Sequence, residues 1–173
     1  MFEELSLHIL DIAMNSMTAG ARTVEITVIE DARRDVLTIR ILDDGRGMDA
    51  PTLQRVSTTA TTTKRSRRKP IGLGLAFLRQ TAEMCAGRFQ IQSAANAGTT
   101  VTASMQRSHV DRPPLGDLNA TILTLCAANP AVDVQLHYRS DGEQFDFSSK
   151  KLAEQTPARR SRIYPERQKA NGL

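Results

Sequence analysis

Residues 23–48 read TVEITVIEDARRDVLTIRILDDGRGM, and this stretch decides the fold. Apolar and polar side chains alternate over residues 23–30 and again over residues 35–42, and both runs are rich in β-branched residues. A period of two is typical of strands that bury one face. Residues 31–34 are polar and form the turn, so the pattern predicts a β-hairpin. Residues 43–48 follow the second strand as a tight glycine loop.

Helical periodicity flanks this hairpin on both sides. Apolar residues recur at i, i+4 and i+7 over residues 4–17, and Gly20 is placed to end that helix. Downstream, residues 51–56 predict a short helix, and residues 71–85 predict a longer one that ends at Gly87. Helices before and after a hairpin indicate that strands and helices share one core.

A second hairpin follows, with strands at residues 89–93 and 99–105. The whole pattern predicts an α+β fold, a two-layer sandwich of a mixed β-sheet with helices on one face. Beyond it, residues 118–128 predict a helix capped by Asp117, and two strands flank the turn at residues 140–142. This α-β-β segment is too small for a core of its own, so we expect it to extend the first sheet.

Three parts of the chain are therefore predicted. Residues 1–107 form the core, and residues 57–71 within it form a polar lid. Residues 108–150 form the C-terminal α-β-β extension. Residues 151–173 form a basic tail without periodicity, which we expect to be disordered.

Charge and cysteine content bound the cellular role. The net charge of +4 reflects basic clusters at residues 64–69 and 159–169, and neither carries the interleaved aromatics typical of nucleic-acid binding. Cys85 and Cys126 are far apart in apolar stretches, which favours free thiols in a reducing compartment. No apolar run approaches the roughly 20 residues of a membrane helix, and no basic leader opens the chain. We therefore expect a cytoplasmic protein that binds neither membrane nor nucleic acid.

A polar stripe interrupts the first predicted helix. Asp11 and Asn15 are four residues apart and share one side of it, with His8 one turn earlier. Such a stripe usually faces solvent. The alternative is a metal site, because an Asn side-chain oxygen suits Mg²⁺ together with phosphates and water.

The glycine loop gives a second candidate. Gly45 and Gly47 allow backbone conformations that a Cβ forbids, so a flat ring could approach closely, and Asp43 at the strand end could accept from an amino group of that ring. An ordinary turn explains the same residues.

Two further glycine segments follow. Residues 72–75 (GLGL) open a helix, where exposed N–H groups bind phosphate. They match neither the dinucleotide fingerprint nor the P-loop. Gly98 and Thr99 begin a strand after a turn, which by itself indicates little.

In their order and spacing, these four segments resemble the GHKL superfamily of gyrase, heat-shock chaperone, histidine kinase and mismatch-repair ATPases. Residues 15–22 (NSMTAGAR) are similar to the first motif of the mismatch-repair members, and residues 71–77 (IGLGLAF) to histidine kinases. More narrowly, residues 5–15 (LSLHILDIAMN) and 108–117 (SHVDRPPLGD) resemble stand-alone bacterial histidine-kinase-like proteins often encoded near hydrogenase genes.

The resemblance implies a Mg-ATP site. Asn15 would ligate Mg²⁺, Asp43 would accept from the adenine amino group, and Thr99 would support that contact. The lid's Lys64 would reach the γ-phosphate. The other residues implied to contact the nucleotide are Gly45, Gly47, Met48, Gly72, Leu73, Gly74 and Leu75.

Asp11 occupies the position where hydrolysing members of the superfamily carry a Glu that activates water. Asp is a competent but shorter base, so hydrolysis and transfer to a partner protein both stay open. The chain lacks the kinase lid's phenylalanine and the transducer domain of the mismatch-repair and gyrase types. Two hypotheses therefore remain: an ATP-dependent kinase or ATPase in bacterial signal transduction, and an ATP-gated binding module without turnover. The partner and the oligomeric state are not predicted.

Overall fold

The structure is a computed structural model that describes residues 4–59 and 73–155. The predicted lid from residue 60 onward, with Lys64 and Gly72, and the tail from residue 156 lie outside the described residues. In chain order the elements are α1 (Leu5–Thr18), β1 (Thr23–Asp31), β2 (Val36–Asp43), α2 (Ala50–Thr59), α3 (Leu73–Met84), β3 (Arg88–Ser93), β4 (Thr99–Gln106), α4 (Leu118–Ala128), β5 (Asp133–Ser140), β6 (Glu143–Ser148) and α5 (Ser149–Gln155).

The strands form one six-stranded sheet in the order β3-β4-β2-β1-β5-β6. The predicted hairpin of β1 and β2 lies at its centre and is antiparallel. The extension joins the same sheet through β5, which runs parallel to β1, and β6 then closes that edge. The predicted mixed sheet, and its continuation by the extension, are therefore confirmed.

The core lies between one face of this sheet and the helices. In β1, for example, Val24, Ile26 and Val28 are fully buried, while the residues between them are less so. Helices α1, α3 and α4 pack beside one another over that face. Each large aliphatic side chain buried here contributes about 1.5–3 kcal/mol, so the alternation in the strands is enough to hold the helical layer in place.

Two predicted boundaries differ from the structure. Helix α2 continues to Thr59, so residues 57–59, expected to begin the lid, belong to a helix. Residues 151–155, expected to be disordered, lie in α5. Two acceptors cap its first turn: Ser148 Oγ, at the N-cap, accepts from the Lys151 N–H at 3.2 Å, and Asp133 Oδ1 accepts from the Lys150 N–H at 3.0 Å. The Ser148 cap is a local signal that the sequence analysis did not use, whereas Asp133 lies 17 residues away.

No helix in the two described segments is long and apolar enough to cross a membrane.

Candidate functional site

The candidate residues meet at the end of the sheet where β2 stops and β4 starts. The antiparallel register sets Asp43, the last residue of β2, opposite Thr99, the first residue of β4. Helix α1 crosses above them. We call Asp43, Gly45, Gly47, Met48 and Thr99 the strand-end cluster.

Asp43 is the buried centre of the strand-end cluster, with 7% of its surface exposed. Its Oδ2 accepts from the Ser16 hydroxyl at 2.6 Å, and its Oδ1 accepts from the Gly45 N–H at 2.9 Å. A buried carboxylate is costly unless hydrogen bonds satisfy it. These two donors hold the group in one orientation, and each oxygen keeps a further lone pair for another donor.

Backbone packing requires glycine at Gly47 of this cluster and at the neighbouring Gly98. Gly47 has φ +61°, and a Cβ there would lie 1.9 Å from the Ala94 carbonyl oxygen. Gly98 has φ +76°, and its Cβ would lie 1.9 Å from the Asp43 carbonyl oxygen. The sequence predicted glycines that admit a flat ring. The structure adds a packing reason, because two backbone segments cross here in direct contact.

The loop after β2 is tied down on two sides. Asp44 Oδ1 accepts from the N–H groups of Arg22 and Thr23, at 2.7 and 2.9 Å, which joins the loop to the start of β1. The Arg46 N–H donates to Ala19 just after α1, and its carbonyl accepts from the Asn96 N–H at 2.7 Å. The loop therefore has a fixed conformation beside Asp43.

Ser93 links the remaining members of the cluster. Its hydroxyl accepts from the Met48 N–H at 2.9 Å and lies 2.8 Å from the Gly98 carbonyl, to which it donates. It also lies 3.0 Å from the Thr99 hydroxyl. With the Ser93 hydrogen committed to Gly98, the Thr99 hydroxyl is the donor in that pair.

A second group of polar residues forms where α1 meets the start of α3. Asp11 Oδ2 accepts from the Gly74 N–H at 2.9 Å, and Asn15 Nδ2 lies 3.5 Å from the same oxygen. A Cβ on Gly74 would lie 2.4 Å from Asp11 Oδ2, so only glycine allows the two helices this contact. We call Asp11, Asn15 and Gly74 the helix cluster. It places a carboxylate on a helix N-terminus, where the dipole favours negative charge.

Two leucines that were also predicted to contact the phosphates lie at the start of the same helix. Leu73 is the first residue of α3, and Leu75 is partly buried against the core.

His8 lies on α1 one turn before Asp11 and is fully buried. Its ring packs at a tilt against Phe77 of α3, with centroids 6.5 Å apart. Burial lowers the pKa of His8 to about 4, and the Asp11 carboxylate only partly opposes that shift. His8 is therefore neutral near pH 7 and belongs to the packing between α1 and α3.

Sequence analysis missed two functional residues, Ser16 and Ser93. Ser16 lies on the apolar stripe of α1 and is 5% exposed. A buried hydroxyl on such a stripe requires a partner, and that requirement could have pointed to Asp43. Ser93 carried no such signal for its bond to Met48, which is 45 residues away, whereas its other two partners, Gly98 and Thr99, lie in its own hairpin.

Comparison with known proteins agrees with this geometry. The family model described as "Histidine kinase-, DNA gyrase B-, and HSP90-like ATPase" matches residues 1–109. Among solved structures, the chain is similar to the Aquifex aeolicus MutL ATPase domain complexed with ADP, with a TM-score of 0.53 and 14% identity. That likeness covers 89% of this chain and 69% of the MutL chain, and at this identity it shows the fold. No curated protein sequence matches the chain.

Proposed function

This chain belongs to the histidine kinase-, DNA gyrase B- and HSP90-like ATPase family, and we propose that it binds Mg-ATP and acts on a partner protein. Membership of this family suggests the ATP binding from which the proposal starts. In this proposal the strand-end cluster holds the adenine and the helix cluster holds the metal and phosphates. The action is phosphoryl transfer to the partner or ATP hydrolysis that regulates it.

The orientation of Asp43 carries the proposal. The carboxylate is buried, anchored by Ser16 and Gly45, and surrounded by a loop of fixed shape. It has acceptor capacity left, and the two groups that donate to it, the Ser16 hydroxyl and the Gly45 N–H, are neutral, which suits a neutral amino group such as that of adenine. Thr99 stands opposite in the register and would support the same contact.

The helix cluster fits the phosphates and Mg²⁺. The Gly74 N–H at the start of α3 is the kind of donor that binds phosphate oxygens. The described residues contain no group of three or more His, Cys, Asp or Glu that could hold a metal alone. Mg²⁺ usually takes only one or two protein oxygens and completes its shell with phosphates and water, and Asn15 supplies such an oxygen.

Asp11 is the proposed base, and its carboxylate already accepts a hydrogen bond from α3. The carboxylate that would accept a proton from water is bound to the Gly74 N–H that would bind a phosphate. Nucleotide binding would therefore have to break this bond before the Gly74 N–H can hold a phosphate, although the Asp11 carboxylate keeps other lone pairs for a water. This observation favours the second candidate, a binding module in which ATP changes the α1–α3 contact and thereby a protein interface, without turnover.

Phosphate release separates the two candidates. If Asp11 is the base, Asp11→Asn lowers phosphate release from ATP by at least about 100-fold while ADP affinity stays within about threefold. Asp141→Asn, the same change in an exposed turn at the opposite end of the sheet, serves as the control and leaves release unchanged. Equal release from wild type and Asp11→Asn would leave the binding module as the function.

The fate of the label identifies the kind of enzyme. Incubation with γ-labelled ATP and candidate partner proteins places the label on protein for a kinase and in free phosphate for an ATPase. A bacterial signalling role, a protein partner and a cytoplasmic location are part of this proposal.

A further inference from the structure

The first turn of α1 is capped in an unusual way. A helix leaves its first N–H groups without partners inside the helix, and a side chain at the N-cap commonly satisfies one of them. Here the N-cap residue, Glu4, makes no such bond. Instead the Leu5 N–H donates to the Pro114 carbonyl at 3.0 Å, and the Ser6 N–H donates to the Leu115 carbonyl at 2.8 Å. Residues 113–116, a segment of the extension that we call the linker, therefore cap the helix that carries Asp11, Asn15 and Ser16.

This linker is itself fixed at both ends. Before it, Arg112 donates from Nε to the Arg107 carbonyl at 2.6 Å and from Nη1 to the Pro113 carbonyl at 3.0 Å. After it, Asp117 caps α4 by accepting from the Ala120 N–H at 2.9 Å. Two consecutive prolines restrict the backbone between these anchors. A shift of the extension should therefore move the linker as a whole, because the linker has little freedom to bend.

Gly116 sets how closely the linker approaches α1. It has φ +81°, and a Cβ there would lie 2.3 Å from Glu4 Oε2 and 2.4 Å from Ser6 Oγ. Ser6 is 2% exposed, so it has little room to move aside. The same Cβ would lie 2.8 Å from Glu4 Cβ, which no side-chain rotation can move aside, so a larger residue at position 116 should push the first turn of α1 away from the linker.

A displacement of that turn would also displace the nucleotide site, because α1 is one continuous helix. At about 1.5 Å per residue, Asp11 is roughly 8 Å and Ser16 roughly 15 Å from Ser6 along the axis. Packed helices move as units, and the 2.6 Å bond from Ser16 to Asp43 tolerates little displacement. Helix α4 of the extension also packs directly on α1.

We infer that Gly116 and the linker carbonyls of Pro114 and Leu115 are positioning residues of the nucleotide site, so that the extension sets nucleotide affinity through α1. The inference rests on the proposed function. It assigns the extension a role in the site itself, and any partner that shifts the extension would change nucleotide binding by the same route.

Two glycine substitutions provide the test. Gly116→Ala and Gly142→Ala both place a side chain at positive φ in the linker or the extension, but a Cβ at Gly142 (φ +92°) meets nothing within 4 Å. Each variant is checked for folding by urea denaturation, and its ADP affinity is measured by titration calorimetry. We expect Gly142→Ala to bind ADP within about twofold of wild type and Gly116→Ala to bind at least about fivefold more weakly.

A rescue distinguishes positioning from general damage. In the Gly116→Ala background, Glu4→Gly and Ser6→Ala together remove Glu4 Oε2, Glu4 Cβ and Ser6 Oγ, the three atoms that the new Cβ meets, so affinity should recover toward wild type. Folded Gly116→Ala with the affinity of Gly142→Ala, or no recovery in the triple variant, overturns the inference.

A measurement on the unaltered protein covers the case in which Gly116→Ala does not fold. Coupling between sites is reciprocal, so ADP should slow hydrogen exchange at the Leu5 and Ser6 amides, which donate to the linker. Amides of the turn at residues 141–142 serve as the control and should not change. No slowing at Leu5 and Ser6 in the presence of bound ADP overturns the inference alone. A wild-type protein that binds no ADP overturns the proposed function as well.

Discussion

The two halves of the candidate site are built differently. In the strand-end cluster, Asp43 is buried, and two bonds of 2.6 and 2.9 Å fix its carboxylate. In the helix cluster, Asp11 is partly exposed and Asn15 exposed, and their mutual contact is 3.5 Å long. The strand-end cluster is held by the register of the sheet, whereas the helix cluster depends on how two helices lie against each other. In the function that we propose, recognition would therefore fall to the strand-end cluster, the rigid half, and chemistry or switching to the helix cluster, the adjustable half.

This division has a physical origin. Neighbouring strands share a ladder of backbone hydrogen bonds, so Asp43 and Thr99 cannot move apart without breaking it. Helices α1 and α3 meet through side chains and through a hydrogen bond from the Gly74 N–H to Asp11. Losing one such bond costs only about 1 kcal/mol, so ligand binding can rearrange it.

The largest effect should follow from Asp43→Asn, which tests whether the rigid half supplies the affinity. The amide keeps the volume but turns an NH₂ group toward donors, either Ser16, the Gly45 N–H or the ligand's amino group. That mismatch costs about 3 kcal/mol, so ADP affinity should fall more than about 100-fold in calorimetric titration. Asp141→Asn is the control. A loss below about threefold would contradict the role of Asp43.

The next effect concerns stability at the crossing of the two backbone segments. Gly98→Ala adds a Cβ 1.9 Å from the Asp43 carbonyl, whereas Gly20→Ala, at a similar φ of +81°, meets nothing within 4 Å. Overpacking added to strain should lower the free energy of unfolding by about 2 to 3 kcal/mol more in Gly98→Ala than in Gly20→Ala. Equal losses in urea denaturation would mean that the strand-end cluster is looser than the structure shows.

Local patterns were enough to predict most of the framework. Alternation predicted the central hairpin, and α4 begins and ends at the residues that its periodicity and the Asp117 cap indicated. Asp43 and Thr99 were assigned to one contact from the resemblance, and the strand register independently sets them opposite each other. In each case a short stretch of sequence carries the information, because strand and helix periods are local properties.

Contacts between distant segments could not be predicted in the same way. The bond from Asp133 to α5, the bond from Met48 to Ser93 and the linker bonds to α1 each join residues that no periodicity relates. Their partners are fixed only once the sheet and the helical layer are assembled. The sequence therefore indicated candidate site residues but not the contacts that hold them in place.

The third effect is a pH dependence of the free energy of unfolding, which originates at His8, beside the helix cluster. The folded-state pKa of His8, about 4, lies below the unfolded value of 6.5, so the unfolded chain binds the proton first as the pH falls. Stability from this residue is complete above about pH 6.5 and is lost progressively toward pH 4. Between pH 7 and 5 the loss should be about 2 kcal/mol.

His8→Leu isolates that contribution. Leucine suits a buried position and cannot titrate, so the variant should lose about 2 kcal/mol less than wild type between pH 7 and 5, measured by urea denaturation at both values. Parallel losses in the two proteins would show that other groups cause the acid sensitivity.

The smallest effect should come from Asn15→Ala, which asks whether the adjustable half contributes through the metal. Asn15 is exposed, and the hydrogen bond from its side chain to Asp11 is long, so its removal should leave the fold and the strand-end cluster intact. If its oxygen ligates Mg²⁺, affinity for ADP with Mg²⁺ falls about tenfold, while affinity for ADP with a chelator is unchanged. Thr18→Ala is the matched control, since Thr18 is exposed on the same helix and its hydroxyl donates to the Met14 carbonyl. An equal loss with and without Mg²⁺ would instead place Asn15 on the nucleotide, and the two halves of the site would then share the work of recognition.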